Sequence, residues 1–355
     1  TITQLFFFIM AFSNTYDPVP SNGLKSGTSV SNREDLLDVL TILAPEETPV
    51  LSSAQKSKAN STFVEWTVDK LAAPSTEGIT EGADVTSFTD KFAERARLGN
   101  FVQKFRRDYL VSDLQEAVDS VGPAKVAQAE AKAIRELKRD IEATIVSNND
   151  RKAENGAGQP YKLRGLSKWI STSPGDDVPS DYRTDTAAIA ETSDGALTET
   201  DFNAIITEIF KKTGNVNNLT LFADTGLRRH ISDYARFGAE YAANGAGTES
   251  LRRVNLNSGE ATIKLGVDLY QSDHGIVSIV NGNPDCMKAS ITGAESDGEA
   301  GLLLNPEFYG VAELIPMGST RLPNLGGGER GFVDCALTVL MQHPQAHGKI
   351  DSFDA

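Results

Sequence analysis

PAKVAQAEAKAIRELKRDIEATIVSNN, residues 123–149, is the clearest helix in the chain. Gly122-Pro123 punctuates its start, where the fixed φ of proline suits a first turn. Alanine, lysine, glutamate, arginine and leucine fill the interior, and all are good helix formers. Ile134, Leu137, Ile141 and Ile145 recur at intervals of 3, 4 and 4, so they line one helical face. Glu130, Arg135, Lys138, Arg139 and Glu142 are expected on the open remainder. Asn148, Asn149 and Asp150 stop the helix. About 24 helical residues make a rod of roughly 36 Å. A narrow apolar stripe with a charged far side fits a rod packed along one edge, and equally an ordinary long surface helix.

Upstream, residues 61–112 read as a long β hairpin. Ser61–Leu71 alternates, with Val64, Trp66 and Val68 on one side and Phe63, Glu65, Thr67 and Asp69 on the other. Ala73–Thr89 is a loop of proline, glycine, serine, threonine and acids. Arg95–Val111 returns as a single strand carrying Leu98, Phe101, Val102, Phe105, Tyr109 and Val111. A strand of that length reaches roughly 55 Å. A compact chain of this size has a radius of gyration of only about 20 Å. The ribbon is therefore too long for its own domain to cover. Isolated hairpins are marginal in water, so this one is expected to lie on a neighbouring molecule. Lys70 and Lys91 within it read as solubilising charges.

The remaining elements flank these two. TITQLFFFIM at the start is apolar but too short to span a bilayer, and it lacks the basic flank of a signal peptide. Met10-Ala11-Phe12-Ser13 resembles a normal start, so Thr1–Ile9 reads as upstream sequence carried into the numbering or as an added tail. Asn14–Asn32 is a polar arm without periodicity. Ser31 or Asn32 caps a helix over Arg33–Ala44, ended by Pro45. Asp113 caps a short helix, Leu114–Ser120. Beyond the long helix come a loop at 150–160, a segment carrying Trp169, and an α/β region. That region holds a helix with Phe202, Ile205, Ile206, Ile209 and Phe210 on one side, ending at Gly214. A buried strand at Asn218–Ala223 and a helix at Asp224–Tyr234 follow. Arg236–Asn257 reads as a mobile excursion. Strands are expected at Val267–Gln271, Gly275–Val280, Leu302–Leu304, Gly310–Ile315 and Gly331–Gln342, with further strand and loop across Cys286–Glu299. A Gly-rich turn spans Leu322–Arg330, and Pro344–Ala355 reads as a short tail.

Composition bounds the function. The 355 residues carry a net charge of −15, which argues against nucleic-acid binding as the main task, because phosphate contacts need a basic surface. Arg106-Arg107, Arg228-Arg229 and Arg252-Arg253 are isolated pairs, read as salt-bridge partners. Cys286 and Cys335 allow one disulfide or two buried free thiols, and a reducing compartment favours the thiols.

Chemical motifs are sparse. His343 and His347 stand four apart, but Pro344 disfavours the helix that would align them on a metal. Asp273-His274 sits where a hairpin turn belongs. Gly326-Gly327-Gly328 lacks the lysine and the strand-to-helix context of a phosphate cradle. There is no nucleophile elbow and no Walker loop. Asn60-Ser61-Thr62 matches a glycosylation sequon, which has no meaning without secretion. Trp66 and Trp169 read as packing anchors, the first at an interface, where tryptophan is enriched. No catalytic residue, cofactor or metal is expected.

Read together, these pieces carry a resemblance. TPVLSSAQKSKANSTFVEWTVDKLA, RARLGNFVQKFRRDYLVSD, the long helix, GLSKWI, LTETDFNAIITEIFKKTGN, LTLFADTGLRRHI, VDLYQSDHGIVSIV and GFVDCALTVLMQHPQAHGKI occur in one order and at one spacing. In these the chain resembles the major capsid (major head) proteins of tailed bacteriophages, podophage-type in particular, which have the Hong Kong 97 fold. The likeness covers Arg33 to the C-terminus. It implies an α+β chain with an N-terminal arm (1–33), an opening helix of the peripheral domain (34–60) and an extension loop (61–112). It further implies a peripheral domain with a spine helix (113–164), an axial α/β domain (165–300) and a return to the peripheral domain with a tail (301–355).

The resemblance also implies a function. The chain would self-assemble as pentamers and hexamers into an icosahedral head that encloses double-stranded DNA without reading it. An encapsulin-like cellular shell is the alternative on the same fold. A portal protein, a separate scaffold and a decoration protein are the implied partners, with no membrane. The scaffold follows because only about 20 polar residues precede the first helix, too few for a fused scaffolding domain. The virion, and the host cytoplasm during assembly, are the implied locations. On this reading the assembly interface draws on Phe63, Trp66, Arg95, Arg97, Phe101 and Arg106.

Overall fold

A computed structural model describes residues 47–118, 125–192, 197–216, 218–236, 268–287 and 299–352. The arm, the Arg33–Ala44 helix and the excursion beyond Arg236 lie outside the described residues. In chain order the first elements are α1 (Pro49–Ser53), β1 (Gln55–Lys58), β2 (Phe63–Val68), β3 (Ala96–Phe101), β4 (Gln103–Val111), α2 (Asp113–Ala117), α3 (Lys125–Val146) and α4 (Leu166–Trp169). Then come β5 (Ile189–Thr192), α5 (Glu199–Thr213), β6 (Thr220–Ala223), α6 (Thr225–Arg236), β7 (Leu269–Ser272), β8 (Gly275–Asn281) and α7 (Pro284–Met287). The chain closes with β9 (Glu299–Leu304), β10 (Tyr309–Leu322), β11 (Glu329–Met341) and β12 (Gly348–Ser352).

The helix α3 behaves as its periodicity dictates. Leu137, Ile141 and Ile145 are fully buried, and Ile134 packs at the margin. Each full burial stabilises by about 1.5–3 kcal/mol. The stripe lies on one face of a four-stranded sheet ordered β1-β10-β11-β4. Phe105, Tyr109, Val333, Cys335, Leu337 and Val339 meet it there, at alternate positions along β4 and β11. Glu142 departs from expectation, because it is buried and not on the open face. It flanks the stripe and meets the two free amides that begin α1.

A second sheet has the order β5-β12-β9-β6-β8-β7. Its strands split their side chains between two cores. Ala300, Leu302 and Leu304 of β9 face the core of α3, while Leu303 faces α5 and α6. The N-cap of α5 is Thr198, whose Oγ1 accepts from Asp201 N at 3.2 Å. Gly214 closes the helix with φ of 71°, a left-handed cap that glycine adopts without strain.

Several expectations are corrected. Arg95–Val111 is not one strand. It breaks at Val102 into β3, which pairs only β2, and β4, which pairs β11. The ribbon is therefore six residues per strand, with Val68 and Leu98 buried against the body, and β2 is shorter than Ser61–Leu71. Residues 69–95 contain no strand. Ser112, not Asp113, caps α2 by accepting from Gln115 N at 3.2 Å. Cys286 lies in a helical turn, not in strand or loop. The supposed tail contains β12, an interior strand paired parallel to β5 and antiparallel to β9. Both cysteines are buried free thiols. His347 is fully buried, and a 3-10 turn rather than an α-helix separates it from His343.

Candidate assembly surface

The β2–β3 ribbon is rooted in the body by buried polar groups. Asn100 is completely buried and uses its whole amide. Its Oδ1 accepts from Arg164 N at 2.8 Å and Phe101 N at 3.0 Å. Its Nδ2 donates to Arg164 O at 3.1 Å and Val339 O at 3.0 Å. Arg151 donates to Gly99 O, and Thr338 Oγ1 donates to Phe101 O at 2.8 Å. Gly99 leaves room for the Phe63 ring, which a Cβ there would approach to 2.6 Å.

Charge supports the root from behind. Arg164 is buried, lies over the Trp169 ring, and bonds Asp177 through two nitrogens at 2.7 and 3.0 Å and Asp150 at 2.8 Å. Burial alone would lift the Asp177 carboxyl. The Arg164 bonds, with Arg151 at 3.1 Å, hold it below the usual range instead.

Above the root are two exposed ion pairs and one bond from a buried tyrosine. Lys70 Nζ meets Asp181 at 2.6 Å, Arg95 meets Asp69 at 2.7 Å, and Tyr182 Oη donates to Glu94 O at 2.5 Å. Asp181 raises the pKa of Lys70, and Arg95 lowers that of Asp69. Beyond them residues 69–95 stand clear of the body. Leu71, Ile79, Val85, Phe88 and Phe92 are 96, 87, 70, 90 and 63% exposed. Five large apolar side chains presented by one loop mark an interaction surface. A smaller group, Leu110, Leu114, Val118 and Leu325, is exposed near the far end of the four-stranded sheet.

The six residues expected at the interface divide. The Phe63 and Phe101 rings meet at 4.7 Å, tilted by 49°, at the ribbon's base. Trp66 faces inward against Trp169 at 5.6 Å. Arg95 lies over Phe92 at 4.1 Å, and Arg97 approaches Glu65 at 3.7 Å, so these two accompany the exposed loop. Arg106 is elsewhere, on β4, over Phe332 and 3.8 Å from Asp334. The five loop apolars went unremarked in the sequence, although large hydrophobics within a Gly/Ser/Thr/acid loop are a legible signal.

Of the arginine pairs, Arg106, Arg107 and Arg228 each meet a carboxylate, while Arg252-Arg253 lies outside the described residues. Arg107 binds Asp140 at 2.6 and 2.8 Å, and Arg228 binds Asp268. His274 stacks on Phe210 at 4.7 Å beside its turn. A polar cleft beside the Lys70–Asp181 tie is lined by Lys70, Ser180, Asp181, Arg183 and Lys212, and in it Ser180 Oγ donates to Asp181 Oδ1 at 3.3 Å.

A family model described as SU10 major capsid protein matches residues 20–354. No curated protein sequence matches the chain. Among solved structures, one described as the capsid structure of the cyanophage P-SCSP1u is similar at a TM-score of 0.59 and 13% identity, over 96% of this chain and 99% of that one. A Mycobacterium phage Adephagia chain gives 0.58 at 12% identity, over 93% and 98%. A chain of the bacteriophage PhiM1 mature capsid gives 0.54 at 11%, over 98% and 100%. The fold is thus the α+β Hong Kong 97 type.

Proposed function

The chain belongs to the SU10 major capsid protein family, and we propose that it closes the head shell of a tailed phage by laying its 69–95 loop on a neighbouring copy. It is a structural subunit of the icosahedral head, not an enzyme. The observation that carries the proposal is the row of exposed apolar side chains from Leu71 to Phe92, held on a ribbon with a rigid root. Such a surface is costly in water and is relieved by covering it on another molecule.

A loop on one copy and a different receiving surface on the next make a heterologous contact, which closes into rings. Pentamers and hexamers are the rings an icosahedral head uses. In this reading the four-stranded sheet with α3 is the peripheral domain, and the six-stranded sheet with α5 and α6 is the axial domain. A separate scaffold, a portal and a decoration protein complete the head. The net charge of −15 suits a wall that encloses densely packed phosphates without adhering to them.

Replacing residues 73–90 by a short Gly-Ser linker tests the proposal. The variant is expected to fold with the parental melting profile and to form no closed particles in electron micrographs. Shells of parental size from that variant would overturn it.

A further inference from the structure

The cleft beside the Lys70–Asp181 tie holds about 560 Å³, a ligand-sized volume. Its wall is pinned from behind. Gln345 Nε2 donates to Asp181 O at 2.8 Å and Arg183 O at 3.1 Å, and the buried Thr184 donates through Oγ1 to Pro344 O at 3.1 Å. The carboxylates that line it are engaged. Asp181 meets Lys70 at 2.6 Å, and Asp185 accepts from Ala187 N at 3.1 Å. Two cations are left unmatched. Arg183 donates only to carbonyls, Nε to Val178 O at 2.8 Å and Nη2 to Gly175 O at 3.4 Å, and its Nη1 has no bond among the described residues. That grip fixes a guanidinium in place without neutralising it. Lys212 stands 3.9 Å from Glu208, a carboxylate that Lys211 already meets at 2.8 Å.

The same chain carries unmatched charge of the opposite sign. Glu77, Glu81 and Asp84 are exposed in the 69–95 loop, and none of them forms an ion pair among the described residues. Glu81 stands at the corner of a tight turn, closed by Ala83 N donating to Thr80 O at 3.1 Å, with Gly82 at φ of 79°. We propose that this acidic turn of one copy enters the cleft of a second copy, where Arg183 and Lys212 take the carboxylates of Glu77, Glu81 and Asp84. This rests on the reading that the loop lies on a neighbouring copy, and it names where the loop lands. The exposed apolar side chains drive the loop out of water, but that drive has no direction. Charge pairs select the receiving surface and fix the register on it. The acids also repel one another, so two loops do not pair tip to tip through their apolar side chains. Tip and cleft are different surfaces of one chain, so the contact is heterologous and propagates around a ring.

The unaltered protein supplies the first test. A carbodiimide joins a carboxylate to a lysine amine with no spacer, so it reports only on groups in contact. Assembled particles and free subunits are treated alike, digested and read by mass spectrometry. A peptide carrying Lys212 is expected to be joined to Glu77, Glu81 or Asp84 in particles, and at least tenfold less in free subunits. Particles in which Lys212 is joined to none of the three overturn the proposal, and so does equal coupling in both forms. The second test is the variant Glu77→Gln, Glu81→Gln, Asp84→Asn. It removes the charges at constant volume in an exposed loop, so folding is not at issue. Its yield of closed particles is expected to fall at least tenfold, and a parental yield overturns the proposal. The 73–90 replacement is run beside it. Parental shells from the replacement remove the loop reading itself, whereas no shells from it with a parental yield from the neutralised variant remove the cleft alone.

Discussion

Glu142 reaches across 92 positions of sequence to accept the N–H of Val50 at 2.9 Å. Its second oxygen takes the N–H of Leu51 at 2.8 Å. A carboxylate on α3 thus seats the first turn of α1. Burial raises the pKa of Glu142, and the two amides pull it back.

Glu142→Ala is expected to cost about 3 kcal/mol, because it strands two buried amides. Glu142→Gln keeps one acceptor and turns an NH2 toward the other donor, so a loss of about 1–2 kcal/mol is expected. Ile141→Asp, one residue away in the stripe, is expected to cost about 3–5 kcal/mol. Urea unfolding of the free subunit measures all three. A Glu142→Ala variant as stable as the parent would show that α1 needs no seat.

His347 gives the fold an acid-sensitive component. Its Nδ1 accepts from Asn305 N at 3.1 Å, and burial pulls its pKa down to about 3. The unfolded chain takes up this proton near 6.5, well before the folded one does. The contribution is full above 6.5 and is lost as pH falls from there toward 3. One proton corresponds to about 1.4 kcal/mol per pH unit. His347→Gln retains an acceptor and should flatten that slope in urea midpoints taken at pH 7, 6, 5 and 4. Parallel slopes would count against the assignment.

Asp177 is a second group whose contribution is lost in acid. Its folded pKa lies below the unfolded value near 3.8, so its stabilisation is present above that value and is lost as pH falls through the folded one. Asp177→Asn leaves Arg164 buried with only Asp150, and is expected to cost about 3 kcal/mol at neutral pH. Thermal melts at pH 7 and pH 3 separate the cases, since the variant's deficit should narrow in acid.

The 69–95 loop should be cleavable in the free subunit and protected in the shell. Trypsin has Lys70 and Lys91 within it, of which Lys91 carries no tie like that of Lys70 to Asp181. Cleavage at Lys91 is expected to slow at least tenfold on assembly, read by mass spectrometry of timed digests. Equal rates in both forms would place the loop away from any neighbour.

What was legible in the chain follows from what is local. The stripes of α3 and α5 repeat within a few turns, so a window of residues contains the whole signal. The change of sheets at Val102 depends on partners more than 200 residues away, and nothing in the alternation of Arg95–Val111 announces it. Gly99-Asn100, two poor strand residues side by side, is the one local hint. Glu142 was misplaced for the same reason, because its amides come from a distant segment. Strand β12 reads as a tail in the sequence because two of its five residues, Lys349 and Asp351, are charged. They neutralise each other in the interior at 2.7 Å.

The strand order of the four-stranded sheet bears on how the subunit is made. There β1 lies beside β10, with Gln55 against Gly310, and β4 lies beside β11, with Tyr109 against Gly331. No contiguous piece of the chain can form this sheet by itself, and such long closures make folding slow. A nascent or prematurely terminated chain lacks β10 and β11 and cannot build the platform on which the arm is mounted. Such a chain exposes the apolar face of β4 and α3, so folding competence arrives only when nearly the whole subunit has been made.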